Sequence, residues 1–180
     1  RPRAGNFNYT HQELDIIKRD IAFCHSIGCA GVVSGALNSY NQVDIQATQE
    51  FVEASKNLEF TFHRAFDVAV DPYKALQDLE TLGVTRILSS GQMPKAIDGI
   101  QLLKKLKNKT QTLQIMPGSG INKTNILLFK EAGFEMVHFS ALKNAPTETT
   151  NLRVSFSQGR EGSSDKQTIA EIIALVAQHS

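Results

Sequence analysis

Two hydrophobic periods alternate along nearly the whole chain, and this alternation most limits what the chain can fold into. Residues spaced for a helix run from Thr10 to Gly28, with Leu14, Ile17, Ile21 and Cys24 on one face. Gly31 to Leu37 follows as a short apolar strand with Val32 and Val33. Asp44 to about Asn57 then reads as helix, Glu59 to Asp67 as strand, and Asp71-Pro72 to Gly83 as helix with Pro72 at its first position. Arg86 to Gly91 is the third strand, Pro94 to about Lys107 a helix, Thr112 to Met116 the fourth strand. Asn122 caps a helix ending at Gly133, and Met136 to Leu142 is the fifth strand. Strict alternation with short connections predicts an α/β fold with a parallel sheet and helical crossovers.

The predicted strands end alike, in SGAL (34–37), HRAFD (63–67), SSG (89–91), PGSG (117–120) and HFSA (138–141). Chemistry in parallel α/β proteins sits at the carboxyl ends of the strands. In the second strand His63, Ala65 and Asp67 are expected to share one face, with Arg64 on the other. Arg64 and Asp67 read equally as a structural ion pair. No G-x-G-x-x-G follows the first strand, so a dinucleotide fold has little support. PGSGI after the fourth strand suits the place where a TIM-type (β/α) barrel binds phosphate on backbone N–H groups. Five strands do not close an eight-stranded barrel, so the expectation is a barrel lacking its N-terminal strands in this chain. Residues 1–180 are read as one such domain, with an irregular segment at 144–164 and a terminal helix at 165–178.

Bulk properties narrow the partners. Nineteen basic and eighteen acidic residues leave a net charge of +1, which gives no electrostatic case for nucleic acid or an anionic membrane. No apolar run approaches the roughly 20 residues that span a bilayer, and the polar opening Arg1-Pro2-Arg3 predicts no signal peptide. Two cysteines, Cys24 and Cys29, are too few for a secreted disulfide scaffold and read as reduced, buried thiols of a cytosolic protein.

RPRAGNFNY (1–9), GVVSGAL (31–37), TFHRAFD (61–67), RILSSG (86–91) and GSGI (118–121), in this order and with these gaps, resemble the CutC copper homeostasis proteins. The likeness extends to about Lys143. It implies a cytoplasmic TIM-type barrel, a homo-oligomer (dimer or tetramer), copper as the bound metal, and first strands that precede Arg1. The family favours Gly at Ala4 and Asp at Asn6; losing that Asp removes one possible acid at the barrel mouth. Family cysteines proposed for copper lie mostly on the early strands, and Cys24 and Cys29 match no motif position.

The residues themselves suggest other chemistry. A barrel would bring Arg1, Arg3 and Arg64 toward one mouth. His63 and Asp67 would supply acid/base groups. Ser89, Ser90, Gly118, Ser119, Gly120 and His138 would supply hydroxyl, backbone and imidazole donors. Arginines fork onto carboxylate or phosphate, whereas copper(I) prefers thiolate, thioether or imidazole. Three functions therefore stand side by side: copper homeostasis with direct copper binding, a barrel enzyme acting on a small anionic (phosphorylated) metabolite, and a non-catalytic barrel scaffold. For each histidine a satisfied core position is the competing reading, and Met93 and Met116 read as packing residues.

Overall fold

The computed structural model of the chain describes residues 2–56, 58–144 and 162–178. Four strands, β1 (Gly31–Ser34), β2 (Glu59–Phe62), β3 (Arg86–Ser89) and β4 (Gln114–Pro117), form one parallel sheet in chain order. Helix α1 (His11–Ser26) precedes the sheet, α2 (Ile45–Ser55), α3 (Pro72–Thr81) and α4 (Ile100–Lys109) connect its strands, and α5 (Ile126–Glu131) follows it. The α/β architecture with a parallel sheet is thus as expected. The sheet is not closed into a barrel among the described residues.

Register explains the core. Ser34, Phe62, Ile87 and Ile115 lie side by side across the sheet, with Val32 beside Phe60 one step earlier. Phe60, Phe62, Ile87 and Ile115 join Ile17, Ile21, Phe51, Leu79, Leu103, Leu106 and Phe129 of the helices in one buried cluster. Each such large side chain, fully buried, contributes about 1.5–3 kcal/mol. The opposite face carries Val33, Thr61, Arg86 and Gln114 in register. There Arg86 bridges strands, with Nη2 donating to Glu59 Oε2 (3.0 Å) and Gln114 Oε1 (3.3 Å).

Helix starts follow local chemistry. Thr10 and Glu13 form the reciprocal capping box of α1. Asp71 accepts from the Tyr73 and Lys74 N–H groups (2.9 and 3.1 Å) ahead of Pro72. Three boundaries differ from expectation. β2 stops at Phe62, because His63 caps a 3-10 turn over Arg64–Val68. α4 begins at Ile100 and not Pro94, because the preceding loop is tied elsewhere: Ala96 N–H donates to Ser119 O (2.9 Å). Asn122 sits before the last short helix but its Oδ1 accepts from Thr124 (2.9 Å at N), and the residue preceding α5 is Asn125.

The predicted fifth strand is corrected as well. From Met136 to Leu142 only His138 pairs with the sheet, through a parallel bridge to Gly118. Leu142–Asn144 (β5) pairs instead, antiparallel, with Gly162–Ser164 (β6). The two ends of the segment expected to be irregular are therefore strand; its residues 145–161 lie outside the described residues, as does Arg1. Asp165 Oδ2 accepts from the Thr168 N–H (3.3 Å) ahead of α6 (Lys166–Gln178).

Candidate functional site

The most connected polar group at the strand ends is Asp67. In a 3-10 turn, residues three apart eclipse, so Arg64 and Asp67 come together and not onto opposite faces, as strand geometry predicts. Arg64 Nε donates to Asp67 Oδ2 at 2.7 Å. The Asp67 side chain is 6% exposed and that of Arg64 42%. From the end of β3 and the loop after it, Ser89 Oγ (2.6 Å), the Ser90 N–H (2.9 Å) and the Gln92 N–H (3.2 Å) all donate to Asp67 Oδ1. Ser90 Oγ lies 2.9 Å from Asp67 Oδ2, 2.5 Å from Met93 O, and accepts from Arg64 Nη2 at 2.8 Å. Ser89 and Ser90 are fully buried. A buried carboxylate is tolerated only when satisfied in this way. Its job here is to anchor the β3 loop and to hold Arg64.

Arg64 is thereby fixed but not saturated. Nε and Nη2 are engaged, while Nη1 makes no hydrogen bond among the described residues. His63 is half-buried: its Nδ1 accepts from the Ala65 N–H (3.3 Å), and its ring meets Phe7 edge-on at 4.8 Å. Arg3 is placed differently from the expected mouth cation. Its Nε donates to Glu13 Oε1 (2.6 Å), its Nη1 to the carbonyls of Ala4 and Asn6, and its Nη2 to Asn8 O. It stitches the opening loop to α1. That loop reaches β1's carboxyl end, where the Leu37 N–H donates to Phe7 O (2.9 Å).

The 118–120 turn follows β4. Gly118 N–H is committed to Ser89 O (2.9 Å), so it continues the sheet. Ser119 takes φ +90 and Gly120 φ +70, and neither N–H donates to an acceptor among the described residues. Ser119 Oγ donates to Pro94 O (2.8 Å), tying this turn to the loop that Ser90 also holds. His138 is exposed beside Gly118. The structure thus brings Arg64, Asp67, Ser89 and Ser90 together, seats Gly118 to Gly120 on the adjoining loop, and uses Arg3 elsewhere. Sequence reasoning missed Gln92, whose N–H serves Asp67 and whose Nε2 donates to Ala69 O (2.6 Å). Nothing in its local sequence marks it, since its role arises from a fold-back.

The loop between β3 and α4 closes by a near-contact of two glycines. A Cβ on Gly99 would lie 2.1 Å from Ser90 O, and one on Gly91, at φ +69, 2.3 Å from Gly99 O. Among the described residues no group of three or more His, Cys, Asp or Glu side chains is arranged to hold a metal ion.

Comparison with known proteins agrees with the motif reading. The CutC family model matches residues 1–143. A CutC family protein of Glaesserella parasuis is 38% identical over 174 residues, covering 96% of this chain and 70% of the relative. One from Pectobacterium atrosepticum is 43% identical over 141 residues, covering 78% and 56% respectively. The chain therefore spans little more than half to about two thirds of these relatives. The crystal structure of CutC from Streptococcus agalactiae, a protein named for copper homeostasis, superposes with a TM-score of 0.72 at 34% identity, covering 77% of this chain and 69% of that one. The chain belongs to the CutC family.

Proposed function

We propose that this chain is part of a TIM-type barrel serving copper homeostasis, whose strand-end mouth binds a small anionic, phosphorylated metabolite. The observation that carries the reading is the Arg64 guanidinium. Asp67 and Ser90 lock it in place, and its remaining nitrogen, Nη1, is left to donate to an oxyanion. The unengaged N–H groups of Ser119 and Gly120 supply the kind of backbone donors that cradle phosphate. The consecutive order of four parallel strands, with the Gly118–His138 bridge beyond them, supports the barrel reading.

Copper enters this reading through the name of the Streptococcus agalactiae protein and the family resemblance. Apart from the His63 and His138 imidazoles, the strand-end donors are a guanidinium, serine hydroxyls, backbone amides and a saturated carboxylate, a mostly hard set that suits copper(I) poorly. If the mouth is catalytic, His63 is the group for proton transfer, with Asp67 as a positioning residue. A cytoplasmic location and a homo-oligomer belong to the same proposal on family grounds; no helix among the described residues is long and apolar enough to cross a membrane.

The test pairs thermal unfolding in inorganic phosphate with copper(I) titration against a competing chelator, on the chain and on Arg64→Gln. Phosphate at about 100 times its dissociation constant should stabilise the native chain by about 2.7 kcal/mol, and Arg64→Gln should abolish the shift. Tight copper(I) binding without any phosphate effect would replace the anion reading with direct metal binding.

A further inference from the structure

We propose that Cys24 and Cys29 form a reversible dithiol–disulfide pair at the carboxyl end of α1, a modification site for low-molecular-weight disulfides. In an uninterrupted helix, residues five apart point about 140° away from each other, and such a pair never meets. Here the helix reverses. Gly28 takes φ +75, its N–H donates to His25 O (3.1 Å), and the Cys29 N–H donates to Cys24 O (3.0 Å). These two bonds are the 5→2 and 6→1 pair of a Schellman motif, with Cys24 at C3, Gly28 at C′ and Cys29 at C″. That motif places the C3 and C″ side chains in contact. In this motif an apolar pair frequently fills the two positions; here both are thiols.

Other observations agree. Both cysteines are unbridged and half-buried, within reach of a small reagent. Cys24 lines a groove of about 250 Å³ with Ile21 and the exposed Val33. Partial burial and then the adjacent Cys29 thiol push the Cys24 thiol up, so the two sulfurs sense each other. The chemistry is thiol–disulfide exchange. One thiol loses its proton to solvent and its sulfur attacks the reagent disulfide, releasing one reagent thiolate. The second deprotonated thiol then attacks the protein-bound sulfur and releases the other. Two protein thiols become one S–S bond, two protons leave, and the reagent disulfide takes both electrons. The bond would clamp the end of α1 to the approach to β1.

The experiment incubates the reduced chain with glutathione disulfide, blocks free thiols by alkylation, and maps peptides by mass. The expected result is loss of both alkylation sites, a mass lower by two hydrogens, a Cys24–Cys29 cross-link, and full reversal by dithiothreitol. Cys29→Ser should stall with glutathione on Cys24. Gly28→Ala, strained at positive φ, should slow closure severalfold and accumulate the mixed disulfide, while Gly28→Asn, which tolerates this backbone, should close nearly as the native chain does. A native chain that keeps stable glutathione adducts, cross-links only between molecules, or closes equally fast as Gly28→Ala would overturn the proposal.

Discussion

Asp67 and Glu80 show how one carboxylate can organise backbone that is distant in sequence. Asp67 gathers donors from Arg64, Ser89, Ser90 and Gln92 in a site closed to water. Replacing it with Asn removes the charge and turns one acceptor into a donor facing donors. Asp67→Asn is expected to cost about 3 kcal/mol, read as a lower urea midpoint at unchanged slope. Glu80, on α3, accepts from Thr110 Oγ1 (2.6 Å) and from the Gln111 and Thr112 N–H groups (2.8 and 2.9 Å). These bonds, the Thr110 hydroxyl's foremost, hold its carboxyl down to about 2. A group lowered on folding stabilises above its unfolded pKa, near 4.5, and that contribution is lost as pH falls toward 2. The stability gap between the native chain and Glu80→Gln should therefore narrow between about pH 5.5 and pH 3; a constant gap would mean that the carboxylate charge is not what holds the 110–112 turn.

Among the elements, the connections after β2 and β3 decide the site. Residues 63–68 carry strand-like alternation, yet the chain coils as soon as His63 can cap and Asp67 can reach the β3 loop. The β3 loop depends on the Gly91–Gly99 approach. Gly99→Ala would drive a Cβ into Ser90 O, so the loop must shift. The expected result is a loss of at least 2 kcal/mol, and in the same variant a loss of any phosphate-induced stabilisation, since Ser90 also holds Arg64. An intact phosphate response would separate the loop from the anion site. At a helix start the effect is smaller: Asp71→Ala should cost about 1 kcal/mol, measured by chemical denaturation.

For the whole molecule, the sheet's open side is the chief feature. β1 pairs only with β2 among the described residues, and Val33 on it is 61% exposed. An apolar edge strand of this kind templates association. Val33→Lys should stay monomeric in sedimentation to higher concentration than the native chain; identical behaviour of the two proteins would show that any oligomer uses another face. The alternation that predicted a parallel α/β sheet was legible because a buried parallel strand and an amphipathic helix have different periods. The fifth strand was not: Met136 to Leu142 has strand composition, but only His138 finds a partner beside Gly118.

What the sequence alone determined was the class of fold, the helix starts at Thr10 and Asp71, and membership of the CutC family, because periods, caps and motifs are local. What only the tertiary structure decided was which polar groups meet. Gln92 reaches Asp67, and Arg3 turns away to Glu13. Each depends on where a turn sends the chain. A turn is settled by the summed hydrogen bonds and close packing of segments far apart in sequence, which no local pattern encodes.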